Sequence, residues 1–89
     1  MATTLPVNHS LVTIEVAGKN GDNRNITGIL QESTVKSLIL ITGQDIPAAA
    51  RVNVRTQDRV YLGEVLKSTP EHGAKWTIHV LTRRAFMVV

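Results

Sequence analysis

Acid–base or nucleophilic catalysis needs a histidine, a carboxylate, a hydroxyl or a thiolate set beside a partner. The three histidines, His9, His72 and His79, are scattered along the chain. The sequence pattern puts His72 in a loop and His79 on the outward side of a strand. No His, Asp or Glu pair has a metal-ligand spacing such as His-x-x-x-His, so zinc and iron are not expected. Ser10, Ser33, Ser37 and Ser68 lack the strand–turn–helix setting of a nucleophile elbow. Glu64, next to Gly63, reads as a solvated strand residue and not as a general base. There is no cysteine, hence no thiolate, disulfide or Cys-based metal site. The expectation is a protein that binds and does not catalyse, with no metal and no cofactor.

Arginine chemistry is better represented. Arg51 and Arg55 lie on one face of a strand around Asn53, with Arg59 close behind. Three guanidiniums there could fork onto phosphate or carboxylate groups, or form an ordinary polar outer face. The formal net charge is +3, but seven acidic residues are mixed among the ten basic ones. Gly18-Lys-Asn-Gly21 is a hairpin turn and not a phosphate loop, because no helix start follows it. Oligonucleotide-binding barrels also stack bases on aromatic rings. Trp76, Tyr61 and Phe86 are the only aromatics here. Trp76 is in phase with Ile78 and Val80 and so faces the core, while Tyr61 reads as outward beside the arginines. One ring is not a stacking platform, and nucleic acid is therefore the lesser expectation.

These residues are carried by short strands. Val12, Ile14 and Val16 alternate with polar residues, the period-two signature of a half-buried strand. Asn20-Gly21 supplies the turn into a second strand from Asn25 to Leu30. Leu38, Ile39, Leu40 and Ile41 form an apolar run too short for a helix, read as a strand covered on both faces or lying at an interface. Val52 and Val54 point inward between Arg51, Asn53 and Arg55. In the next strand Val60 and Leu62 share a face while Val65 falls on the other, so a bulge or sharp coil is expected at Gly63. Trp76, Ile78 and Val80 form the inner face of a sixth strand. No helical apolar period exceeds two turns.

Six short strands with turn chemistry between them predict an all-β fold, a small antiparallel barrel that is closed or nearly so. Eighty-nine residues make one domain, 1–89, with the barrel core at about 11–82 and a short C-terminal extension. A chain of this length buries only about 60–65% of its unfolded surface, so association with a partner or a second copy is a natural expectation. The apolar end, Phe86, Met87, Val88 and Val89, is a candidate interface together with Leu38–Ile41. The N-terminus lacks the basic start and apolar stretch of a signal peptide. No segment approaches the ~20 apolar residues that span a bilayer. The expected address is the cytoplasm, with no membrane contact.

The stretch from Gly28 to Leu81 resembles a PilZ domain, the small split β-barrel that binds the bacterial second messenger cyclic di-GMP. The resemblance rests on Ile46-Pro47 followed by Arg51-Val-Asn-Val54, on Tyr61-Leu-Gly-Glu-Val65, and on the loop Thr69-Pro-Glu-His-Gly73 leading to Trp76–Leu81. The family grips its ligand with an Arg-x-x-x-Arg motif before the first strand and an Asp/Asn-x-Ser-x-x-Gly motif after the second. No arginine precedes Arg24 here. Of the second motif, Gln31-Glu-Ser33-Thr-Val-Lys36 keeps only Ser33, with lysine where glycine is expected. The resemblance thus implies a bacterial signalling adaptor that acts through protein contacts, with cyclic di-GMP bound weakly or not at all. A basic barrel of Sm-like or oligonucleotide-binding type, touching nucleic acid through Arg51, Arg55 and Arg59, is the alternative.

Overall fold

The computed structural model describes residues 10–18 and 21–88. Six strands follow one another: β1 (Ser10–Val16), β2 (Arg24–Ser33), β3 (Ser37–Thr42), β4 (Arg51–Arg55), β5 (Arg59–Glu71) and β6 (Lys75–Met87). They close into an antiparallel barrel in the order β1-β2-β3-β6-β5-β4. Closure comes from β1 pairing with β4, which sets Val16 opposite Val52 and Ile14 opposite Val54. A closed sheet leaves few unpaired edge groups, which matters in a domain this small.

Alternation builds the core as the pattern predicts. Val12, Ile14 and Val16 of β1, Val52 and Val54 of β4, and Ile78 and Val80 of β6 all point inward and are buried. The apolar run of β3 divides by parity: Leu38 and Leu40 are fully buried, whereas Ile39 and Ile41 face outward and are half-buried. Ile46, in the connection between β3 and β4, is also fully buried and plugs the core from a segment without regular structure. That connection is held by the Ala49 N–H to the Val65 carbonyl (2.7 Å), the Val65 N–H to the Ala50 carbonyl (2.9 Å), and the Ser68 hydroxyl to the Asp45 carboxylate (2.6 Å).

The phase of β5 differs from the expectation. Tyr61, Gly63 and Val65 point inward, and Val60 and Leu62 point outward. Tyr61 is therefore a core residue and not an outward partner of the arginines. An irregularity does fall at Gly63, as expected: the register shifts between Leu62 and Gly63, but the extra residue is Arg83 of β6, and a second shift follows where Leu66 is inserted in β5. Gly63 stays in phase because β6 passes close to it; an added Cβ would run into the Leu81 carbonyl and come within 3.0 Å of Val80 Cγ1. Trp76 packs partly buried against the core. The C-terminal residues are not a separate extension, since β6 continues through the bulge and pairs Arg59–Leu62 of β5 with Arg84–Met87. Val89 lies outside the described residues.

Candidate contact surfaces

Arg51 and Arg55 emerge from the outer face of β4 on either side of Asn53, because alternate residues of a strand share a face. Asn53 Nδ2 donates to Glu15 Oε1 (3.3 Å), and Asn23 Nδ2 donates to the other oxygen of the same carboxylate (3.1 Å). Glu15 is thus occupied by two amides. Arg59 does not join the pair. It is in phase with Tyr61 and Gly63, at the end of the barrel, where it lines a recess of about 790 Å³ with Asp58 and Tyr61. The three arginines lie close in sequence, but the strand reversal at Thr56–Asp58 sends the third to another surface.

A different arginine completes the outer face. Asn53 lies opposite Leu62 of β5, and Leu62 lies opposite Arg84 of β6; in the next row Arg55, Val60 and Phe86 are aligned in the same way. With strands about 4.8 Å apart, Arg84 stands roughly 10 Å from Asn53 across Leu62. The outer face of β4, β5 and β6 therefore mixes guanidiniums with aliphatic and aromatic groups. Phe86 is 46% exposed, Met87 68% and Val88 45%. The bulge separates the paired basic residues 83 and 84. Arg83 Nη2 turns to Glu64 Oε1 at 2.7 Å, while Arg84 has no ion-pair partner among the described residues. Nothing in the sequence distinguishes Arg83 from Arg84. The outward phase of Leu62 is the missing signal, and it is visible only once the parity of Val65 is given priority.

Of the other proposed contact residues, Leu38 and Leu40 are enclosed in the barrel and present nothing to a partner. Ile41 instead belongs to an outer aliphatic row, Leu11–Ile29–Ile41, running across β1, β2 and β3, with Leu11 71% exposed. Ile39 lies on the same outer face, opposite His79.

A second feature not anticipated from the sequence lies at the β3–β4 connection. Val16, Ala17, Arg24 and Pro47–Arg51 line a cleft of about 580 Å³. Arg24 Nη1 donates to Gln44 Oε1 (3.0 Å). Ala49 has φ of +72°, a left-handed backbone that an L side chain adopts only at a cost.

Ser33 ends β2 and is exposed. The turn after it is built on Thr34, whose Oγ1 accepts from the N–H groups of Lys36 (3.3 Å) and Ser37 (3.1 Å), while its own N–H donates to the Ser37 carbonyl (2.8 Å). Lys36 is not among the residues at positive φ. The turn therefore makes no use of the backbone freedom that a glycine would bring. Among the described residues no three His, Cys, Asp or Glu side chains converge as metal ligands, and no helix is long and apolar enough to cross a membrane. No protein-family model matches the chain, and comparison with curated proteins and with solved structures returns no significant match.

Proposed function

We propose that this chain is a PilZ-like β-barrel module of bacterial cyclic di-GMP signalling, working in the cytoplasm as an adaptor through protein contacts and binding the nucleotide weakly or not at all. Support for the barrel part of the reading comes from the closed six-stranded antiparallel sheet. Support for weak nucleotide binding comes from the turn after Ser33, closed by the Thr34 hydroxyl with Lys36 in place of glycine, and from the sequence before β1, which carries no arginine. The observation that carries protein contact as the mode of action is the outer face of β4–β6. There Phe86 and the guanidiniums of Arg55 and Arg84, residue types enriched in protein interfaces, lie around the outward side chain of Leu62.

Calorimetric titration of the whole chain with cyclic di-GMP tests the reading. Little or no heat at micromolar concentrations is expected; micromolar or tighter binding would overturn it.

Nucleic-acid binding is the second reading, favoured by Arg51, Arg55 and Arg84 on connected strands. The aromatic inventory opposes it: Tyr61 is buried, Trp76 is partly buried, and Phe86 is the one large exposed ring among the described residues. Binding of a single-stranded oligonucleotide that falls steeply with salt and is lost on Arg51→Ala plus Arg55→Ala would establish this reading in place of the first.

A further inference from the structure

β6 outruns its neighbour. Its pairing with β3 ends at Ser37–Leu81 and the Thr82 N–H to Lys36 carbonyl bond (2.8 Å), yet the strand continues to Met87 on β5 alone. On the β3 side, residues 83–87 have no strand partner among the described residues. The directions of their backbone groups follow from one bond. The Val88 N–H donates to the carbonyl of Asp58 (2.8 Å), the residue just before β5 and in line with its ladder. Because N–H and C=O groups of an antiparallel strand alternate between its two sides, Phe86 and Arg84 also turn theirs toward β5. Ala85 and Met87 turn theirs to the open edge.

We propose that this edge is occupied by the same edge of a second copy, forming a two-fold dimer in which β6 pairs antiparallel with β6 about Ala85. That centre sets Ala85 opposite itself as a hydrogen-bonded pair and Met87 opposite Arg83. On the outer face it sets Arg84 opposite Phe86 of the other copy, twice. The guanidinium without an ion-pair partner then meets the exposed ring, a cation–π arrangement. Of the two neighbouring registers, a two-fold at Arg84 would oppose two like charges directly, and a two-fold at Phe86 would set Arg84 opposite Val88 and give up its meeting with the ring. Arg83 adds little repulsion, since Glu64 neutralises it at 2.7 Å. Edges of this kind pair with other chains unless they are blocked, and a closed two-fold consumes both edges and leaves none to propagate. The dimer does not depend on the PilZ-like reading: it needs only the open edge of β6 and the Arg84 and Phe86 side chains beside it, whatever else the outer face of β4–β6 contacts.

The test is the mass of the whole chain in solution, by sedimentation from micromolar to millimolar concentration, with two variants. Wild type is expected to dimerise with rising concentration. Ala85→Pro removes an N–H that points to the open edge and spares the β5 ladder, so it is expected to stay monomeric with an unchanged β-sheet spectrum. Ala85→Cys, in a chain with no other cysteine, is expected to form a disulfide-linked dimer under mild oxidation, and Leu11→Cys, on an exposed position of β1, is not. A wild type that remains monomeric throughout overturns the proposal. So does a dimer that survives in folded Ala85→Pro, or one in which Ala85→Cys fails to cross-link. If Ala85→Pro does not fold, the cross-linking comparison decides alone.

Discussion

The carbonyl of Leu81 occupies the space that any side chain at Gly63 would need. The contact joins backbone to backbone across β5 and β6, next to the Arg83 bulge, so no flexible group can move aside. Gly63→Ala should therefore destabilise by roughly 2–3 kcal/mol, in the range of core overpacking. Thermal unfolding should show a midpoint lowered by about 10 °C or more. A loss under about 0.5 kcal/mol, the usual scale for surface changes, would mean that the two strands can separate without penalty.

At Ala49 the opposite sign is expected. A residue at φ of +72° is relieved by glycine, which reaches that region freely. Relief of about 1–2 kcal/mol is partly offset by the ~0.5–1 kcal/mol entropic cost of glycine. Ala49→Gly should thus leave stability unchanged or raise it by up to about 1 kcal/mol. Ala48→Gly, one residue away and not at positive φ, should lower it. Chemical denaturation of the two variants side by side checks the contrast, and equal losses at both sites would refute it.

The Thr34 hydroxyl closes the turn between β2 and β3 by accepting two backbone N–H bonds. Thr34→Ala should cost about 1 kcal/mol, in the range for a lost hydrogen bond, and Thr34→Ser should recover most of it. Lys36→Gly should give no gain, because Lys36 is not left-handed here, and its added chain entropy should cost about 0.5 kcal/mol. Stabilisation by Lys36→Gly, measured by urea unfolding, would show that the turn is strained after all.

The inward residues of β1, β4 and β6 were legible from the chain alone. Val12, Ile14, Val52, Val54, Ile78 and Val80 alternate with polar neighbours, and burial follows that alternation. β5 was not legible. Its apolar residues fall on both parities, and Val60 and Leu62 outnumber Val65 in the sequence although Val65 carries the buried phase. What settles the phase is Gly63, whose role depends on β6 running across it some twenty residues later. The arginine cluster failed for a related reason. Arg59 is near Arg55 in sequence but lies beyond a strand reversal, whereas Arg84 is remote in sequence and reaches the same face through register.

Sequence by itself determined that this is an all-β chain of six strands and which side of most strands faces the core, because side-chain alternation is a local property of an extended backbone. Tertiary structure decided the closure of β1 on β4, the bulges at Arg83 and Leu66, the extension of β6 beyond β3, and so which arginines share a surface. Those features depend on hydrogen bonds between segments far apart in the chain, and a shift of one residue in such pairing exchanges the two faces of a strand.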